Sequence, residues 1–346
     1  MAMPTKLRRR SISWPALHVG AVLLVALAGP ALVVLLVADL VRGRWHLHLT
    51  RVYLLGLGMV CIELAFFWLG LLTSAVTLNG RLVPAWAWAG INVWLQNRWI
   101  AGQVAVARLT SGFRIEIENP ELTREANAIV MGRHLSHADA VFPAMVYGLM
   151  AGHQIRYMLK QELQWPPAMD LIGNRLPHVW IDRAPGPDSP MLAVMERTAH
   201  DVDERTVACI FPEGTFFTPE RLERAITRLA GSRPDLAREA RSLRHVLPPR
   251  PAGSLALLEG APGADVVVLG HIGLERFSSI RDIIGAIPLT EPIRVRLWRH
   301  PRSEIPDNPR DQTAWLVRRW IQLDDWISEH LETPAGGSLP VEDSVA

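Results

Sequence analysis

No charged residue stands between Val19 and Ala38, and the apolar character extends from Trp14 to Val41. Such a stretch has few stable homes, because about 20 apolar residues are what one helix needs to cross the hydrocarbon core of a bilayer. A second run, from Val52 to Thr77, is of similar length and carries one charge, Glu63. The connector RGRWHLHLTR is short, so residues 14–80 read as two membrane-embedded helices forming a hairpin. A cleaved signal peptide is the rival for the first run, since KLRRR precedes it and small residues lie near Ala26–Ala28. Its apolar stretch outlasts the roughly 7–15 residues of a signal sequence.

Residues 1–13 read as a basic tail with Lys6, Arg8, Arg9 and Arg10, and the connector adds Arg42, Arg44 and Arg51. The positive-inside rule weakly favours a cytoplasmic N-terminus, and a hairpin then returns the large domain to the cytoplasm. A path that dips in and returns stays open, and Pro30 and Glu63 would suit it. Residues 81–110 are rich in tryptophan with scattered arginine. They read as a linking helix lying at the membrane interface, with a core helix of the domain as the equal alternative.

Formal net charge is only +2 and no basic tract is interleaved with aromatics, which gives no reason to expect nucleic acid. Cys61 and Cys209 are the only cysteines, so neither a disulfide framework nor a metal-ligand spacing is expected. Only Lys6 and Lys160 are lysines, and a single lysine inside the domain is conspicuous.

From residue 111 to 332 the pattern alternates. FRIEIE, NAIVMG, QIRYML, HVWID, TVACIF, ADVVVLGHI and PIRVRLW read as strands, with helical stretches between most of them. This predicts an α/β domain with a central mixed β-sheet flanked by helices. Its last helix carries tryptophans at 315, 320 and 326, and residues 333–346 read as a disordered tail.

Three strand ends carry chemistry. GRHLSHADA holds His134, His137 and Asp139. A bland reading makes Ser136 a helix cap, with Asp139 completing a variant capping box. The other makes His134 a general base oriented by Asp139. Five residues apart on a continuous helix they would sit about 140° from each other, so they meet only if His134 lies in a loop that turns back at Ser136. His137, two before Asp139, would point elsewhere. IFPEGTFF places Glu213 and Gly214 after a strand, a plausible site or an ordinary capped turn at Thr215. HVWIDRAPG ends a strand in Asp182 and Arg183, which reads as a phosphate grip or a solvated pair.

In combination, HxSxxD (His134, Ser136, Asp139), LKQELQWPP (Lys160, Glu162, Leu163, Pro166), Ile181-Asp182-Arg183 and Phe211-Pro212-Glu213-Gly214-Thr215 resemble the glycerolipid (lysophospholipid) acyltransferase family. This family includes 1-acylglycerol-3-phosphate acyltransferases. The resemblance covers about residues 110–330. It implies the glycerolipid acyltransferase fold and transfer of a fatty acyl group from acyl-CoA or acyl carrier protein to the hydroxyl of a lysophospholipid, in phospholipid synthesis or remodelling. It further implies His134 and Asp139 as catalytic residues, and Glu213, Gly214, Thr215, Arg183 and Lys160 as substrate-binding ones. Ser136 and Pro212 would support the site, and backbone N–H groups at the helix start or Gly214 would form the oxyanion hole. No metal and no cofactor beyond the thioester co-substrate is expected.

The implied setting is a bilayer, with an integral protein of a bacterial inner membrane. Two positions depart from the family: Arg133 replaces its asparagine, and Phe216 replaces the arginine after EGT that helps bind the acceptor phosphate. Phe216 keeps open a non-phosphorylated acceptor or thioester hydrolysis, and a non-catalytic lipid-binding scaffold is the remaining alternative.

Overall fold

A computed structural model describes residues 4–332 except 183–185, 187, 276–281 and 283–284, and only the backbone of residues 137, 138 and 332. The expected tail, 333–346, and Arg183 lie outside the described residues. All seven expected strands form: β1 Ile115–Glu118, β2 Ala128–Gly132, β3 Gln154–Lys160, β4 Val179–Ile181, β5 Thr206–Ile210, β6 Asp265–Ile272 and β7 Ile293–His300. They make one mixed sheet in the order β1-β7-β6-β2-β5-β3-β4. Strands β2 to β6 are parallel to one another, while β7 is antiparallel to β6 and β1 is parallel to β7.

Every residue of β2 and of β5 is buried. Central parallel strands are covered on both faces and therefore read as unbroken apolar runs. One face packs against α7 (Pro190–Ala199), α10 (Pro251–Gly260) and the last helix, α11 (Pro309–Glu332). On α11 the buried set Leu316, Val317, Trp320, Leu323, Trp326 and Ile327 repeats at helical spacing, and each large apolar side chain buried contributes about 1.5–3 kcal/mol. The other face is covered by Val141–Pro143, the π-turn Ala144–Met150 that continues it, and α4 (Ala85–Ser111). The C-terminal ends of β2, β3, β4 and β5 share one edge of the sheet, the edge where open α/β sheets hold their ligands.

The N-terminal segment differs from its expectation in three ways. The basic stretch is not a tail: α1 runs Lys6–Ala26, and both Arg9 and Arg10 pair with Asp170 of α6 (Pro167–Gly173). A carboxylate with no exposed surface needs such partners, so these two charges are spent inside the protein and do not serve the positive-inside count. The first apolar run is not one straight helix, because α1 ends at Ala26 and α2 (Ala28–Val41) departs at 62°. Pro30 lacks the N–H that would bond the Ala26 carbonyl and its ring crowds that oxygen, which breaks the helix there.

Third, Glu63 on α3 (His48–Val76) faces the domain, accepting hydrogen bonds from Trp99 Nε1 at 2.9 Å and from the Ala168 N–H at 2.7 Å. By length and composition α3 can cross a membrane, and α1 with α2 can do so only as a bent pair. Helix α4 packs against the domain on one side, as the core-helix alternative expected. It buries Leu95, Ile100 and Val104, and leaves Trp86 and Trp94 exposed.

Candidate active site

The chain leaves β2 at Gly132 and turns at once into the loop carrying His134. Gly132 has to lack a side chain: a Cβ there would lie 2.7 Å from the Phe211 ring. The FPEGTFF loop after β5 then holds the His134 backbone at both ends. The Glu213 carboxylate accepts from the His134 N–H at 2.8 Å, and the Phe217 N–H donates to the His134 carbonyl at 3.3 Å. The imidazole lies between two phenyl rings, 4.9 Å from Phe211 and 4.5 Å from Phe216 between centroids.

Asp139 lies in a short 3-10 turn, His137–Ala140, and has 1% of its surface exposed. Its Oδ2 accepts from the Leu135 N–H at 2.5 Å and the Ser136 N–H at 2.6 Å, and stands 3.3 Å from His134 Nδ1. Its Oδ1 accepts from Ser136 Oγ at 2.9 Å. The two sequence readings are therefore not rivals: one carboxylate closes the capping box and also faces the His134 ring. Burial alone would raise its pKa, but the imidazoles of His134 and His271 facing its two oxygens, with the Ser136 N–H, hold it well below the usual carboxylate range. His137 has its backbone in the same turn, and its side chain lies outside what is described.

His134, Ser136, Lys160, Asp182, Pro212, Gly214 and Arg250 line one cavity, whose remaining wall is apolar and includes Met158, Leu163, Met195 and Ile210. Four of the expected residues thus meet His134 there: Ser136, Lys160, Pro212 and Gly214. Lys160 ends β3 with its ammonium 5.0 Å from the centre of the Phe216 ring. Burial lowers its pKa; Glu162 opposes the shift, and Arg221 and Arg250 add to it.

Several expectations need correction. Glu213 is not a surface for the acceptor: it is 1% exposed, and its second oxygen accepts from the Leu247 N–H at 2.9 Å. It ties the His134 loop to the segment before α10, and burial pushes its pKa up to about 8. Thr215 is half-buried but is not among the cavity-lining residues. The Gly214 N–H is no oxyanion donor, since it closes the turn onto the Phe211 carbonyl at 3.0 Å with Gly214 at φ +69°. The N–H groups of Leu135 and Ser136 are likewise committed to Asp139. Arg133, where the family has asparagine, is 1% exposed and donates to the His271 carbonyl, Glu275 and the His245 carbonyl behind the site.

Sequence reasoning missed two residues. Arg250 follows the Pro-Pro of HVLPPRPAG and lines the cavity. Its N–H donates to the Pro212 carbonyl at 2.8 Å, which docks it beside the FPEGT turn. His271 is the imidazole inside the apolar run VVVLGHI, and its Nε2 stands 3.3 Å from Asp139 Oδ1. A polar residue interrupting a buried strand is a detectable signal, but nothing local shows what it faces.

Residues 114–248 match the model of the family described as Acyltransferase. This segment is an acyltransferase-family domain. It contains β1 to β5, His134, Asp139, Lys160 and the FPEGT turn, whereas Arg250 and His271 lie beyond the match. No curated protein matches the chain. Among solved structures, the crystal structure of the 1-acyl-sn-glycerophosphate (LPA) acyltransferase PlsC from Thermotoga maritima aligns at 12% identity. It covers 80% of this chain and 98% of that one with a TM-score of 0.45, a likeness too distant to bear on substrate or mechanism.

Proposed function

We propose that this chain is a membrane-bound O-acyltransferase. In this reading it moves a fatty acyl group from acyl-CoA or acyl carrier protein to the free hydroxyl of a lysophospholipid such as 1-acylglycerol-3-phosphate. The observation that carries the reading is His134, faced by Asp139 through Nδ1 and opening on a cavity with an apolar wall and two cations, Lys160 and Arg250.

The carboxylate fixes the tautomer with the proton on Nδ1, so Nε2 takes the acceptor's hydroxyl proton. The hydroxyl oxygen bonds to the thioester carbonyl carbon, the carbon–sulfur bond breaks, and the proton passes from His134 to the departing thiolate. Asp139 stabilises the imidazolium in between. The acceptor supplies the nucleophile, so no serine or cysteine need be acylated and no cofactor is called for. Lys160 and Arg250 are placed to meet a phosphate, with Arg250 compensating for the arginine that Phe216 replaces. Glu213 positions the His134 loop.

Membrane attachment is supported by α3 and by apolar side chains turned outward on the N-terminal helices, among them Val22, Val33 and Leu72. An acceptor and product that reside in the bilayer need not then move their chains into water, at about 0.8 kcal/mol per CH₂. Phe216 favours one rival, an acceptor without phosphate or water itself. The test is the full-length protein in lipid vesicles with labelled acyl-CoA and a panel of lysophospholipids and monoacylglycerol. Labelled phospholipid is the expected product. Labelled fatty acid alone would replace transfer with hydrolysis, labelled neutral lipid alone would remove the phosphate from the acceptor, and no turnover would leave a lipid-binding scaffold.

A further inference from the structure

Every residue of β6 from Val266 to Ile272 is buried, and among them only His271 is titratable, with no exposed surface. Among the described residues, neither of its ring nitrogens completes a hydrogen bond of good geometry. Burying an imidazole in that state is unfavourable, and an apolar residue like those filling the rest of β6 would avoid it. His178 shows how this protein satisfies a structural imidazole. Its Nδ1 accepts from the Tyr157 N–H at 3.3 Å, and its Nε2 meets Gln96 Oε1 at 2.7 Å. Among the described residues, His271 has no such pair of partners. The polar group within its reach is the catalytic-site carboxylate: Nε2 stands 3.3 Å from Asp139 Oδ1.

Asp139 is ionised and can only accept, so the His271 proton belongs on Nε2. The carboxylate then lies between two imidazoles, one per oxygen, with His134 at Oδ2 and His271 at Oδ1. The His271 side is rigid. Its carbonyl accepts from Arg133 at 2.5 Å, the Arg133 N–H donates to the Leu269 carbonyl at 3.0 Å, and Phe142 stacks on the ring at 4.7 Å. Contacts of this kind are often oblique before substrate binds and tighten when charge develops.

We propose that His271 is a positioning residue for acyl transfer, its Nε2–H fixing the Asp139 carboxylate at the angle from which the other oxygen orients His134. The inference rests on His134 being the general base. It adds a residue outside the segment that matches the acyltransferase family and outside the lining of the cavity.

The test uses the full-length protein in vesicles and compares His271→Gln, His271→Leu and His271→Phe, with His134→Ala and melting temperatures measured alongside. A glutamine amide nitrogen can reach the Nε2 position; leucine has no donor, and phenylalanine keeps a ring against Phe142 without one. Losing a hydrogen bond to a charged group predicts a fall in kcat of about 10- to 100-fold for Leu and Phe, with KM for the acceptor within about threefold. Gln is expected to stay within about fivefold of wild-type kcat although it too loses the ring packing. Equal kcat loss in Gln and Phe, or full kcat in Phe, overturns the role of His271 while an inactive His134→Ala keeps the base in place. A His134→Ala variant that retains transfer overturns both.

Discussion

Replacing Asp139 by asparagine separates the two things this carboxylate does. Asparagine keeps the shape and one carbonyl oxygen. With that oxygen toward the Leu135 and Ser136 N–H groups, now 2.5 and 2.6 Å from Oδ2, the turn survives. The new NH₂ then takes the Oδ1 place, where Ser136 Oγ can accept from it and His271 must shift its proton to Nδ1. Exchanging charge-assisted for neutral hydrogen bonds costs about 1–3 kcal/mol of stability. The larger effect falls on rate, since an imidazolium forming on His134 no longer faces an anion across 3.3 Å. A triad aspartate replaced in the same way loses about 10⁴ in kcat, roughly 5 kcal/mol of transition-state stabilisation. The assay is single-turnover acyl transfer in vesicles at saturating acceptor, with thermal unfolding followed on the same preparation. A rate within tenfold of wild type, beside a lowered melting temperature, would leave Asp139 only its capping role and refute the orientation mechanism.

Glu213 is expected to make stability fall as pH rises. Burial pushes its pKa in the folded protein up to about 8, above the ordinary glutamate value of 4.5, so the folded state binds the proton more tightly. The contribution is full below about pH 4.5 and is lost on the way through pH 8, amounting to a few kcal/mol at most. Glu213→Gln should flatten that part of the pH–melting curve, and an unchanged slope would reject the assignment. Gly132→Ala drives a Cβ toward the Phe211 ring that packs on His134. About 1–3 kcal/mol of destabilisation with a lower kcat is expected, and a variant with wild-type melting and rate would show that the loop has room. Asp170→Asn removes the anion shared by Arg9 and Arg10 and leaves buried Arg9 without its counter-charge, so a loss of about 3–5 kcal/mol should appear in melting, with little change if the pairing is incidental.

The sheet could be read from the sequence because its central strands β2, β5 and β6 are buried on both faces and so appear as short apolar runs, while β7 alternates between buried and half-buried residues. Four of the five mutually parallel strands also end beside a chemically distinctive residue: β2 before His134, β3 at Lys160, β4 before Asp182 and β5 before Glu213. What the sequence did not reveal is which of those groups turns inward. Glu213 and Arg133 sit beside site residues yet point into the protein, because unpaired N–H and carbonyl groups of loops folding from far along the chain wait there for them. Nor could it supply His271, whose distance from Asp139 depends on β6 pairing directly with β2. The N-terminal arginines misled for a related reason: an anion that neutralises them lies about 160 positions away in sequence.

In the proposed mechanism His134, and not His137 three residues on, takes the acceptor's proton. The most direct measurement is acyl transfer from labelled acyl-CoA to a lysophospholipid by His134→Ala and His137→Ala in the same vesicles, each checked for wild-type melting. Loss of transfer in the first with most of the rate kept in the second is the predicted result. Comparable loss in both, with both folded, would contradict it.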